Sequence, residues 1–187
     1  SDKIFFTSGL HPWHAELLKK DQIKKRLEDL IKADFILAVG EAGIDKLKGP
    51  DLNNQMAVFK VQIEIAEQHR LPLIIHSVKA HNEILKLRKE FNAKVPWVIH
   101  HFNGSQQMAF DLIDHGFYLS VSHHIRNEKT KLSDYFNELP LEKIFLETDD
   151  FRIEIKDLYR IAAEKYGISI EKLKKQMIFN LKTLLNV

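Results

Sequence analysis

Histidine and carboxylate side chains directly follow several apolar segments of this 187-residue sequence, and these residue types can bind metal ions. In chain order they are His11 and His14 in SGLHPWH, Glu41 in AVGEAG, His76 in LIIHS, His100 and His101 in VIHHF, and Glu147 and Asp149 in FLETD. A carboxylate beside a buried strand costs several kcal/mol unless it is paired or coordinated. Imidazole nitrogen with carboxylate oxygen suits Zn²⁺, Mn²⁺ and similar divalent ions. The pattern therefore predicts a metal site.

Each of these residues, taken alone, also has a structural interpretation. A single histidine at the end of a strand is more often hydrogen-bonded than metal-bound, and it is the repetition after several apolar segments that favours ligation. Three other histidines, His69, His81 and His115, lie in helical stretches and are expected on solvated faces. For His123 and His124, in a polar segment, an exposed loop and a substrate contact both remain open.

The elements that would position these side chains are short apolar segments alternating with amphipathic ones, which predicts parallel βαβ units. The predicted strands are Ile4–Leu10, Ile36–Gly43, Leu71–Ser77, Val95–Phe102, Phe117–Ser122 and Ile144–Asp149. The predicted helices are Glu16–Lys32, one capped by Asn53, Gln106–His115 capped by Ser105 and followed by Gly116, Asp157–Tyr166 and Ser169–Asn186. Open doubly wound sheets and closed barrels both fit, and in both the carboxyl ends of the strands converge.

The segment VIHHF raises the question of which adjacent histidine has the chemical role. Neighbouring side chains in a strand point to opposite faces. If the strand continues through Phe102, only one of His100 and His101 can enter the site.

Composition narrows the class of protein. The chain has no cysteine, which excludes disulfides and thiolate chemistry and agrees with a cytoplasmic location. Its net charge of +2 neither supports nor excludes a nucleic-acid substrate. No apolar run approaches the ~18 residues of a membrane helix, and no signal peptide is visible. One domain over residues 1–187, without a membrane or an obligate protein partner, is the expectation.

Five motifs together carry a family resemblance. SGLHPWH, VGEAGID, LPLIIHS, VIHHFNG and FLETDD occur in the order and at about the spacing found in the TatD-like metal-dependent deoxyribonucleases. The sequence resembles that family from Phe6 to Leu185. The resemblance implies a TIM-like (β/α) barrel, with six strands visible and the first one or two missing or reduced. It also implies hydrolysis of DNA phosphodiesters with two divalent metal ions, Mg²⁺, Mn²⁺ or Zn²⁺.

The resemblance also assigns residues to roles. It implies metal ligation by Glu41, His76, His100 and Asp149. Two of these are expected to be catalytic, Glu41 as the carboxylate that bridges the metals and Asp149 as the acceptor of the proton from the attacking water. His11 and Asn103 are expected to contact the substrate.

Two departures from the family pattern qualify these expectations. The family's His-x-His pair is absent before His11, so an upstream segment is missing from this chain or the protein is a reduced variant with only one metal ion. Asp150 and Phe151 replace the end of the family's ETD-x-P motif. This departure bears on whether the substrate is DNA or a small phosphoester more than on the hydrolytic chemistry. A related barrel hydrolase acting on a small ester or amide, and a binding protein with a degenerate site, are the alternatives.

Overall fold

The computed structural model describes residues 4–17, 19–126 and 129–187. The chain forms two compact units, Ser1–Val98 and Ile99–Val187. The expectation of one domain over residues 1–187 stays a prediction. Among the described residues, no helix combines the length and the apolar character needed to span a membrane.

All six predicted strands are present in the described residues, and most are shorter than predicted. They are β1 Phe6–Ser8, β2 Ile36–Asp45, β3 Leu73–Val78, β4 Trp97–Ile99, β5 Phe117–Val121 and β6 Ile144–Leu146. The helices are α1 Lys20–Leu30, α2 Leu52–His69, α3 His81–Glu90, α4 Gln106–Asp114, α5 Lys131–Tyr135, α6 Ile155–Lys165 and α7 Ile170–Leu185. Short 3₁₀ helices occupy Pro12–His14, His123–Arg126, Phe136–Glu138 and Leu141–Lys143. The first predicted helix includes Leu18, which lies outside the described residues.

In the first unit, β2 lies between β1 and β3 and pairs with both in parallel. Strand β2 is buried along most of its length, as its uninterrupted apolar sequence predicts. Helix α2 packs on β2, and α1 packs on α2. Phe59 and Ile63 of α2 are fully buried, as are Val39 and Ile75 of the strands. These apolar contacts form the core below the strand ends.

In the second unit, β5 and β6 pair in parallel, with Leu119 opposite Ile144. Helix α4 packs on β5, and α6 packs on α7. The buried Asn180 of α7 donates its side-chain amide to the carbonyl oxygens of Leu141 and Ile144, both at 2.9 Å. These two bonds attach the last helix to the start of β6, the strand that leads to Glu147.

Helix capping is partly as predicted. Ser105 caps α4 by accepting a hydrogen bond from the Met108 amide, and Gly116 follows that helix with φ of +82°. The prediction that Asn53 caps α2 is wrong. Asp51 is the cap, because its carboxylate accepts from the amides of Asn53 and Asn54 and so satisfies two donors of the first turn.

Candidate functional site

Three predicted site residues of the first unit lie together after β1, within β2 and within β3. We call His11, Glu41 and His76 the first donor group, because one ligand atom of each lies within 4.8 Å of the others. Glu41 Oε2 is 3.7 Å from His11 Nε2 and 4.0 Å from His76 Nδ1. The group therefore combines two imidazole nitrogens and a carboxylate oxygen, which is a donor set suited to a divalent metal.

Two buried glutamines of α2 position the backbone around this group. Gln62 accepts from the Leu10 amide at 2.7 Å and donates to the Leu10 carbonyl at 3.0 Å. Gln55 accepts from the Asp45 amide at 2.8 Å and donates to its carbonyl at 2.9 Å. Both the segment before His11 and the end of β2 are thus hydrogen-bonded to the same helix.

Gly43 permits the close approach of β2 and β3 that places His76 beside Glu41. Its φ is +143°, and an added Cβ would lie 2.0 Å from the carbonyl oxygen of His76. Since real Cβ atoms do not come that close to backbone oxygen, a side chain here would separate the strands.

Asp45 orients the His76 ring, a role that is not evident from the sequence. Its Oδ2 lies 3.2 Å from His76 Nε2 and accepts from Trp13 Nε1 at 2.7 Å. Burial raises the pKa of Asp45, but the hydrogen bonds from Trp13, the Leu47 amide and His76 outweigh it and leave the pKa lowered. An ionised Asp45 favours the proton on His76 Nε2, so it is the unprotonated Nδ1 that faces Glu41. The only sequence signal was its position four residues after Glu41 in VGEAGID.

The second unit brings His100, His101 and Glu147 together, and we call these three the second donor group. His100 Nδ1 is 3.0 Å from Glu147 Oε1. Asp149 lies beside the group, with Oδ1 3.8 Å from His100 Nε2 and Oδ2 2.8 Å from His101 Nδ1. This group again offers both nitrogen and oxygen donors.

The prediction that only one of the adjacent histidines enters the site is wrong. Both contact Glu147 and Asp149. The reason is that β4 ends at Ile99, before either histidine, and His101 has a φ of +48°. Strand alternation no longer applies in such a turn, so both rings reach the same carboxylates.

Glu147 follows an apolar segment of the sequence but was not predicted as a ligand, and the structure places it between the two histidines. It accepts from the His101 amide at 2.8 Å and from the Ser120 hydroxyl. Burial raises the pKa of Glu147. The hydrogen bond and charge of His100, together with the hydrogen bonds from Ser120 and the His101 amide, lower this pKa by a larger amount. The net shift is downward, so Glu147 is an anion at neutral pH and orients His100.

A third group consists of His101, His123 and His124, with ligand atoms again within 4.8 Å of one another. Burial, and after it the charge of His101, lowers the pKa of His123. Burial, followed by the charges of His123 and His101, lowers the pKa of His124 to about 4. Both rings are therefore neutral at pH 7. Both are also partly buried, which disagrees with the interpretation of this segment as an exposed loop.

The structure divides the predicted site residues between the two units. Glu41 and His76 lie with His11, whereas His100 and Asp149 lie with Glu147. Asn103 is exposed in the turn after these histidines and belongs to none of the three groups. The roles predicted for all of these residues remain predictions. The donor sets themselves fit divalent metal ions.

Parallel α/β units whose strands lead into histidine–carboxylate groups are the architecture of metal-dependent hydrolases of the barrel class. A family model described as TatD related DNase matches residues 1–186. The chain belongs to this family.

Its relatives are consistent with that membership. The chain is 29% identical over 170 residues to a putative deoxyribonuclease TATDN1 homolog of Enterocytozoon bieneusi, covering 85% of this chain and 59% of the relative. It is 31% identical over 153 residues to the uncharacterized metal-dependent hydrolase YabD of Bacillus subtilis, covering 79% and 59%. A 3'-5' ssDNA/RNA exonuclease TatD of Klebsiella pneumoniae is 27% identical over 147 residues, covering 76% and 56%. The chain thus spans just under three fifths of the length of these relatives.

Solved structures share the fold. The crystal structure of YJJV, the TatD homolog from Escherichia coli, superposes with a TM-score of 0.85 at 26% identity, covering 98% of this chain and 77% of that one. A TatD family hydrolase from Entamoeba histolytica has a TM-score of 0.85 at 19% identity, covering 97% and 74%. These matches confirm the predicted α/β, TIM-like fold class.

Proposed function

We propose that this chain hydrolyses phosphodiester bonds of DNA with divalent metal ions, as a TatD-like deoxyribonuclease. The observation that carries the proposal is the recurrence of mixed nitrogen and oxygen donor groups after parallel strands, one in each unit. Family membership supports the same chemistry, since relatives carry the names deoxyribonuclease, metal-dependent hydrolase and ssDNA/RNA exonuclease.

The first and second donor groups would hold the metal. In the first, Glu41 supplies the carboxylate and His11 and His76 the imidazoles; in the second, Glu147 joins the two adjacent histidines. A bound divalent ion lowers the pKa of water and polarises the phosphoryl oxygen. Asp45 and Glu147 keep the ligand imidazoles in the orientation and tautomer that ligation needs.

Asp149 is suited to accept the proton of the attacking water. Its carboxylate contacts two histidines and its side chain is 28% exposed, so one part is held in place while another remains accessible to water. A carboxylate within reach of a metal-bound water can act as its general base.

A pocket next to His123 supports a nucleic-acid substrate. It has a volume of about 420 Å³ and is lined by His123, Arg126, Phe151, Arg152 and Ile153. Two guanidinium groups can bind phosphate, and the 46% exposed Phe151 offers a ring on which a base can stack. The residue that departs from the family motif, Phe151, thus favours a nucleotide chain over a small phosphoester.

Replacement of Asp149 tests the proposal. We expect Asp149→Asn to lower the rate of single-stranded DNA hydrolysis by roughly 10²–10⁴-fold, the usual contribution of a general base, with the fold retained. Asp150→Asn makes the same chemical change at the exposed neighbouring position and should retain activity. Equal turnover of both variants and the unmodified chain would refute the role of Asp149. Activity on small esters but not on DNA would favour the alternative hydrolase.

A further inference from the structure

We propose that His101, His123 and His124 form an additional metal site, which takes a transition-metal ion such as Zn²⁺ through three imidazole nitrogens. The proposed hydrolysis does not require this site, and the first and second donor groups differ from it in chemistry because each contains a carboxylate. Metal binding by these three histidines would therefore be a separate property of the chain.

The three rings are close enough to share one ion. The distances between ring centroids are 4.1 Å for His123 and His124, 5.0 Å for His101 and His124, and 5.6 Å for His101 and His123. Their ligand atoms lie within 4.8 Å of one another. Nitrogens bound tetrahedrally to Zn²⁺ at 2.0–2.1 Å are about 3.4 Å apart. Small side-chain rotations are thus sufficient to complete the site.

Polar atoms without hydrogen-bond partners point to a ligand here. Among the described residues, Nδ1 of His123 and Nδ1 of His124 are buried and have no hydrogen-bond partner. The same holds for Nδ1 of His101, whose contact with Asp149 at 2.8 Å lacks hydrogen-bond geometry. A buried nitrogen without a partner is unfavourable. A metal ion that accepts lone pairs from imidazole would remove that cost.

The backbone that carries two of the histidines is held in place. Ile125, which follows them, is fully buried. The Thr130 hydroxyl donates to the His124 carbonyl at 2.7 Å. The Phe151 ring stacks on His123 at 3.4 Å between centroids with an interplanar angle of 30°. These contacts limit the positions of the rings before any ion binds, which reduces the entropy lost on ligation.

The donor set defines the ion. A donor set of three imidazoles suits Zn²⁺, Ni²⁺ and Cu²⁺, whereas Mg²⁺ prefers oxygen ligands and retains its water. His101 belongs both to this group and to the second donor group, but His123 and His124 belong to this group alone. Variants at these two positions therefore report on this site specifically.

The test is calorimetric titration of the metal-stripped protein with Zn²⁺, in which the two groups that contain a carboxylate also bind Zn²⁺ and the proposed site adds one further component. We expect a tight Zn²⁺ component in the unmodified chain. Loss of a ligand should weaken it by more than the roughly 10–100-fold caused by losing an outer partner, in both His123→Gln and His124→Gln. His69→Gln, which removes an exposed histidine outside the three groups, is the matched control and should retain the component.

Unchanged Zn²⁺ binding in both variants would overturn the proposal. A second measurement requires no variant and so remains valid if a substitution prevents folding. One equivalent of Cu²⁺ should bind preferentially to the group with the most imidazole nitrogens, so its electron paramagnetic resonance spectrum in the unmodified chain should show coupling to three nitrogens. Coupling to two or fewer nitrogens would also overturn it.

Discussion

Replacement of Asp45 by asparagine tests how the first donor group is held. The Asp45 carboxylate accepts from Trp13 Nε1 at 2.7 Å and from the amides of Leu47 and Lys48 at 2.8 and 3.1 Å, and it contacts His76 Nε2 at 3.2 Å. In Asp45→Asn, an amide nitrogen would replace Oδ2 and face the Trp13 donor. Hydrogen bonds to a charged group contribute about 1.5–3 kcal/mol, so we expect a loss of that order in the free energy of unfolding.

The same substitution should weaken metal binding. An asparagine amide donates to His76 Nε2, which moves the ring proton to Nδ1, the nitrogen that faces Glu41. Loss of such an orienting carboxylate typically lowers metal affinity by about 10–100-fold, which is roughly 1.4–2.8 kcal/mol. Calorimetric titration with Mn²⁺ measures the affinity, and urea denaturation of the metal-stripped protein measures stability.

The control is Asp34→Asn, which makes the same change at an exposed position in the same unit. We expect its Mn²⁺ affinity and its free energy of unfolding to stay within error of those of the unmodified chain. If folded Asp45→Asn binds Mn²⁺ as tightly as Asp34→Asn does, the orienting role of Asp45 is refuted.

Two further predictions concern stability. Gly43→Ala should lower the free energy of unfolding, measured by urea denaturation, by about 3 kcal/mol or more, because the added Cβ would lie 2.0 Å from a backbone oxygen. Gly167→Ala, where no atom lies within 4 Å of the added Cβ, should lower it by only about 1 kcal/mol. Equal losses in the two variants would contradict the steric argument. Burial raises the pKa of Tyr135 to about 12. Its raised pKa stabilises the fold below the ordinary tyrosine pKa of about 10, and this contribution declines as pH rises from there toward 12. Tyr135→Phe should show a smaller alkaline loss of stability, and an identical pH profile would contradict the prediction.

The strands and most helices were predictable because the apolar segments are continuous and the caps are local. Val39 and Ile75 lie in the core as the uninterrupted apolar segments imply. The cap of α2 was misassigned because Asp51 and Asn53 are both good caps, and the choice depends on where the helix actually begins.

The candidate site was only partly predictable. The strand-end histidines and carboxylates are visible in the sequence, but the end of β4 at Ile99 depends on pairing with other segments, so the joint use of His100 and His101 was missed. The position of Asp45 against His76 depends on the register of two strands 31 residues apart in the chain. His101 and His123 likewise come from segments that are distant in the chain, and their spacing along the sequence does not show that they lie close together.

The most direct test of the proposed hydrolysis is cleavage of an end-labelled single-stranded DNA oligonucleotide by the metal-loaded chain. We expect shortening of the DNA that requires Mg²⁺ or Mn²⁺, stops with chelator and is lost in Asp149→Asn. Cleavage that persists in chelator, or no cleavage by a chain shown to bind the metal, would contradict it.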